Sequence, residues 1–247
     1  MEFMPYLLIA AILLAGSLLQ GAVGFAFALL TVPLLVQSGL PLSEAVALIT
    51  LPVSTQLLLG TFKLRRFVQW REVSFASLIR LLTLPLGMLL LVFFDGLEPS
   101  QLQQVLGVAV LIAVLLQLLS RSNVALSPHR AWRYIAFASS GLMQGAVSMG
   151  GPPAVLWVMA QPWSNQQSRA FLQAMFLVIS PIHISLLIST LGTRILPSML
   201  LGLLFTPLVI LGTLLGMRIG DILSKALLRQ LALGILIVNA LAAILRH

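Results

Sequence analysis

The sequence predicts an all-α polytopic membrane protein of about eight transmembrane helices in two four-helix repeats, with the first helix of each repeat broken at a Gly/Pro-rich segment. Three observations predict it: extreme apolarity, apolar blocks of span length, and a segment that recurs in the second half. Of 247 residues, 60% are apolar and 8% charged, against roughly 25% charged in an ordinary soluble domain. So few charges cannot clothe a water-soluble surface, which excludes soluble enzymes and nucleic-acid-binding modules even though the net charge is +8. The positive excess is read instead as membrane topology and attraction to anionic headgroups, so the expected partners are the lipid bilayer and no nucleic acid. There is no cysteine, and the three histidines (His129, His183, His247) and six acids are scattered, so neither a metal site nor a cofactor is expected.

A hydrocarbon core about 30 Å thick takes about 20 helical residues. On that ruler eight apolar blocks stand out: 5–36, 45–62, 75–94, 102–119, 132–160, 170–191, 196–217 and 227–245. Nearly all charges and turn formers lie between them. Alternation of period two is absent, which points to helices rather than an outer-membrane barrel. Met1-Glu2-Phe3 carries no basic stretch before the first block, so that block is expected to be mature structure rather than a cleaved signal. The first and fifth blocks are too long for one untilted crossing and hold glycine midway. Each is expected to be one interrupted helix or a helix pair that dips in and returns, leaving the crossing number open by one or two.

In the simple eight-span reading, nine basic residues fall on the N-terminal side: Lys63, Arg65, Arg66, Arg71, Arg121, Arg130, Arg133, Arg194 and Arg246. Four fall on the other (Arg169, Arg218, Lys225, Arg229), and Arg80 lies inside a span. Both termini are therefore expected inside. The bias comes mostly from the first half, a shift that an inverted repeat would produce.

Gln20-Gly21-Ala22-Val23-Gly24 reappears as Gln144-Gly145-Ala146-Val147-Ser148, an offset of 124. Leu86-Gly87-Met88 recurs as Leu215-Gly216-Met217 and Pro52 as Pro181, both at an offset of 129, and Gly107 heads an apolar span as Gly234 does. Shared Gln and Pro in the same order argue against chance likeness between apolar helices. Two repeats follow, 1–123 and 124–247, parallel or inverted.

Duplicated segments that are both interrupted by glycine or proline are the pattern of secondary transporters, whose binding site lies at the break. Residues 145–153, Gly-Ala-Val-Ser-Met-Gly-Gly-Pro-Pro, cannot form a continuous helix. The helix resuming at Pro152 or Pro153 would aim its dipole and unpaired donors at an anion. Gly21 and Gly24, followed by Pro33, form a milder version, although Gly21-x-x-Gly24 also suits close helix packing. The candidate substrate-binding residues are Gln20, Gly21, Gly24, Gln144, Gly145, Ser148, Gly150, Gly151, Pro152 and Pro153.

The Gly-rich break of the first block, the Gly150-Gly151-Pro152-Pro153 of the fifth and the four-plus-four repeat resemble the TauE/SafE sulfite exporter family, also described as the toluene sulfonate uptake permease family. The resemblance covers essentially the whole chain. It implies a multi-pass protein of the bacterial inner (plasma) membrane that carries sulfite, sulfonates or related small organic anions.

Every acid (Glu2, Glu44, Glu72, Asp95, Glu98, Asp221) falls at or near a segment end, which disfavours a cation carrier or a carboxylate relay and favours an anion. Gln20 and Gln144 match across the repeat and are expected to line the site or to bond between helices. His183, two residues after Pro181, is the candidate for proton coupling, its bland alternative being a histidine bonded to a carbonyl at the proline kink. Arg80 is expected to snorkel to the basic surface or to serve as a counter-charge for the anion. Arg169 attracts anions at an entrance or is an ordinary interfacial arginine. Trp70, Trp132, Trp157 and Trp163 read as interface anchors.

The sequence-level conclusion is a secondary transporter, not an enzyme, that exports a small anionic substrate by alternating access, with proton coupling as an option and a homodimer as an option for its assembly. No ATP-binding loop is present to drive it. The alternatives are a passive anion channel, a subunit of a larger complex, and an intramembrane serine hydrolase with Ser148 as nucleophile and His183 as base. The hydrolase lacks a Gly-x-Ser-x-Gly turn and an orienting acid in the spans.

Overall fold

The computed structural model describes residues 4–23, 26–119, 130–222 and 225–245. Every described element is helical. In chain order the helices are α1 (Met4–Val23), α2 (Phe27–Gln37), α3 (Leu42–Leu64), α4 (Trp70–Asp95), α5 (Pro99–Leu119), α6 (Arg130–Val147), α7 (Gly151–Met159), α8 (Asn165–Leu191), α9 (Leu196–Ile222) and α10 (Lys225–Leu245), with 3-10 turns at Arg65–Phe67 and Gly192–Ile195. Leu42–Phe67, Trp70–Asp95 and Asn165–Ile219, the last holding two helices, are long and apolar enough to cross a membrane. The protein is a polytopic helical membrane protein.

Helices outrun the apolar blocks where polar residues serve as caps. α8 begins five residues before its block because Ser164 Oγ accepts from the Gln167 amide at 3.2 Å while Gln167 Oε1 accepts from the Ser164 amide at 2.9 Å, a reciprocal cap. α4 begins at Trp70, with Glu72 in its first turn facing the positive end of the helix dipole. Its buried face, Val73, Ala76, Ser77, Arg80, Leu84, Gly87, Met88 and Leu91, repeats every three to four residues as a packed helix requires. Acids at segment ends are used locally. Glu72 pairs with Arg133 at 3.1 Å. Asp95 pairs with Arg194 at 3.1 Å and accepts from the Ser43 amide at the start of α3. Glu44 accepts from the Ser198 hydroxyl.

Both long blocks break, and both double back. Gly16 of α1 lies against Phe27 and Thr31 of α2. Ser140 of α6 donates to the Gly150 carbonyl at 2.6 Å, and Phe137 of α6 stacks on Trp157 of α7 with ring centroids 4.9 Å apart. Each is a full helix followed by a half-length return, about 14–17 Å at 1.5 Å per residue. α1 ends at Val23 and α6 at Val147, and α2 begins at Phe27 and α7 at Gly151, both at the same offset of 124.

The chain forms two compact units, one of Met1–Gln56, Asp95–Leu111 and Arg194–His247, the other of Leu57–Phe94 and Ile112–Thr193. In the first, α1 packs along α9, α2 along α1, and α10 on α2. The second holds α4 against α6 and an aromatic core of Phe137, Trp157 and Phe171, with Val73, Ala154 and Met175 around it and Trp163 packed on it. Trp157 is thus a core member rather than an interface anchor, while Trp163 is half-buried against that core.

A glycine-mediated crossing built from corresponding residues recurs in both units. In the first, Gly21 lies on the Thr213 carbonyl, Gly216 on the Leu18 carbonyl, and Gly212 on the Ser17 hydroxyl. In the second, Gly145 lies on the Leu84 carbonyl, Gly87 on the Leu142 carbonyl, and Gly141 on the Thr83 hydroxyl. Counting 124 along α1 to α6 and 129 along α4 to α9 converts one set into the other, with the glycine and hydroxyl exchanged in the third pair. A Cβ at Gly145 would overlap backbone that cannot move aside. Gly145→Val should therefore cost about 1–3 kcal/mol by overpacking, read as a fall of about 2–12 °C in the thermal unfolding midpoint for a chain of this size. Gly151→Ala, whose Cβ meets nothing within 4 Å, should leave that midpoint within about 2 °C.

Candidate anion-binding site

A helix that stops inside a bilayer strands its terminal N–H and C=O groups, and each must find a partner. The two breaks meet this demand differently. Ala26 ends the first at φ 99° and Ser148 opens the second at φ 57°, left-handed conformations that cost a residue with a Cβ about 1–2 kcal/mol.

At the first break the protein supplies its own cap. Gln20 Oε1 accepts from the Phe27 amide at 3.1 Å, the first residue of α2. Gln20 Nε2 donates to Gln56 Oε1 at 3.1 Å, Gln56 Nε2 donates to the Thr213 hydroxyl, and Thr213 donates to the Val209 carbonyl. Gln20 is thus the interhelical bond that sequence reasoning held as its alternative, and Gly21 is the packing glycine. Gly24 lies outside the described residues.

At the second break no side chain caps α7. The Ser148 amide bonds the Gln144 carbonyl and the Met149 amide the Met143 carbonyl, closing α6. Gly150 is pinned against Ser140 and Gln144, whereas open space adjoins Gly151. Pro152 and Pro153 fill the first turn of α7. They carry no N–H, so they set the start of the helix rather than binding through donors. The amides of Gly150 and Gly151 have no backbone partner among the described residues. The Ser148 hydroxyl, on a residue 9% exposed, has none either. Gln144 is half-buried, and its amide, unlike that of Gln20, makes no hydrogen bond among the described residues. Gly145 packs on α4.

His183 and Arg80 are more enclosed than the sequence suggested. His183 is 3% exposed on the face of α8 that carries Met175 and Ile179, and its Nε2 has no partner among the described residues. Arg80 is fully buried, so it does not snorkel. The apolar block begins at Phe75, but α4 begins at Trp70, which moves Arg80 inward to near the middle of the helix. Arg169 is exposed in the first turns of α8.

The sulfite exporter TauE/SafE family model matches residues 8–243. The chain belongs to the TauE/SafE family. It is 28% identical over 240 residues, 95% of its length and 91% of the relative's, to a protein of Cupriavidus necator named as a probable sulfite/organosulfonate exporter TauE. No solved structure matches the chain. As a family member it is a membrane transporter rather than an enzyme.

Sequence reasoning missed Thr213, Ser77 and Ser140 as participants. Ser140-Gly141 answers Gly16-Ser17 at the offset of 124, and that reversed pair of small residues was the available signal for Ser140. The unequal caps make a direct prediction. Gln20→Leu strands the Phe27 amide and one end of Gln56, at about 1–3 kcal/mol for each stranded buried group. It should lower the unfolding midpoint of ligand-free protein by about 4–24 °C, whereas Gln144→Leu should leave it within about 2 °C.

Proposed function

We propose that this TauE/SafE protein exports a small organosulfur or sulfite-like anion across the inner membrane by alternating access of two repeats, 1–123 and 124–247. The observation that carries the reading is the second break: a helix start with open space beside Gly151, and two glycine amides and a Ser148 hydroxyl that have no partner among the described residues. An N-terminal helix end with free donors suits negative charge. Glu72, Asp95 and Glu44 are each engaged at segment ends by Arg133, Arg194 and Ser198, away from the break. The substrate class follows the printed name of the Cupriavidus necator relative. The matched glycine crossings support the repeat, because each joins a helix of 1–123 to a helix of 124–247 through equivalent residues. The amides of Gln144, Gly150 and Gly151 and the Ser148 hydroxyl hold the anion's oxygens. His183, buried with Nε2 unpartnered, couples a proton to its passage.

In liposomes holding only this chain, internal unlabelled ethanesulfonate should drive saturable uptake of labelled ethanesulfonate. A channel would give uptake without such counterflow. Ser148→Ala and Gln144→Leu each remove a bond to a charged ligand, about 1.5–3 kcal/mol, and should raise the half-saturating concentration roughly 10- to 100-fold. His183→Gln should abolish the response of transport to an imposed pH gradient while leaving counterflow intact. A response unchanged in that variant would remove His183 from the coupling step.

A further inference from the structure

Arg80 is the tenth residue after Trp70 in a helix of 26 and has no exposed surface. Its Nη1 donates to the Met175 carbonyl at 3.3 Å and its guanidinium lies 4.3 Å from the centroid of the Phe176 ring, but Nε and Nη2 have no partner among the described residues. The described acids do not answer it, because Glu72 is paired with Arg133, Asp95 with Arg194 and Glu44 with Ser198, and Glu98 is exposed. A buried cation left without a counter-charge costs several kcal/mol, and an ionisable side chain within a membrane helix marks a candidate functional site. The Ser77 hydroxyl, one turn earlier on the same buried face of α4, is also unbonded.

Two neighbouring residues of α6 bring the backbone of Arg80 level with the second break. Ser140 holds the Gly150 carbonyl at the start of α7, and Gly141 lies directly against the Arg80 Cα. Being adjacent in one helix, they hold the start of α7 and the Arg80 Cα at one height, within the same compact unit.

We infer that Arg80 supplies the positive charge of the anion site at the start of α7, and that the site therefore takes a single monoanionic sulfo group in preference to a dianion. The inference rests on the export reading and narrows its substrate. One guanidinium balances one negative charge, and a second would stand uncompensated where the dielectric is low. The planar guanidinium fork reaches two oxygens of an SO3 group at once, which an ammonium cannot do.

The test is equilibrium binding and thermal unfolding of the purified full chain with ethanesulfonate, and with sulfate and ethane-1,2-disulfonate as dianions, in wild type, Arg80→Gln and Arg80→Lys. Wild type should bind ethanesulfonate about 30-fold or more tightly than either dianion. Arg80→Gln should weaken ethanesulfonate about 100-fold, in line with the loss of a charged partner, while its ligand-free unfolding midpoint stays level or rises, because an unpaired buried charge has gone. A purely structural arginine would lower that midpoint instead. Arg80→Lys, which keeps the charge and loses the fork, should weaken binding about tenfold. Wild-type affinity in Arg80→Gln, or dianions bound as tightly as ethanesulfonate, overturns the inference. Should Arg80→Gln fail to fold, Arg80→Lys decides: a tenfold loss supports Arg80 as the charge and unchanged affinity refutes it. If wild type binds no sulfonate and shows no counterflow, the export reading falls and this inference with it. If wild type transports while both variants bind as it does, only Arg80 is at fault.

Discussion

The constraint on which the rest depends is that no backbone polar group in a bilayer may go without a partner. Unbroken helices satisfy it internally. A break within a span does not, and at each of the two breaks here the chain must either supply a partner or leave the task to something else. The first break supplies one, through Gln20, Gln56 and Thr213, at the start of α2. The second has an equivalent glutamine, Gln144, at the equivalent position, yet its amide makes no such cap. One repeated segment thus carries a closed break and an open one, and the difference is a property of side chains rather than of the backbone plan.

The glycines serve that plan by bringing helices to backbone contact. Gly21 and Gly145 let α1 meet α9 and α6 meet α4, so each break is anchored on one side by a tight crossing. In the second unit the same crossing carries Arg80, since the glycine beside Ser140 is the one that touches it. Close packing, the position of the break and the position of the buried charge are consequences of a few adjacent small residues.

The helical class and the sites of both breaks were legible because they depend on composition and on glycine and proline, whose effects are local. The matching of Gln20 with Gln144 was legible as identity, but their opposite roles were not: capping depends on what Gln56 and Thr213 present from distant helices. Arg80 was misplaced because hydropathy marks where a helix becomes apolar, whereas Trp70 to Ser74 already belong to α4. The doubling back of α2 and α7 was one of two options the sequence left open, since glycine can interrupt a helix without reversing it. The sequence has the helix resume at Pro152 or Pro153, and α7 begins just before them, at Gly151, with both prolines in its first turn.

The central claim is that the second break, and not the first, holds the anion. The direct measurement is the anomalous scattering of bromine in crystals of the full chain grown with 2-bromoethanesulfonate. The account predicts a bromine peak beside the start of α7, with the sulfo oxygens within hydrogen-bond distance of the Gly151 amide, and none at the start of α2. A peak at the start of α2 beside Gln20, or binding elsewhere with the α7 start left empty, would contradict it.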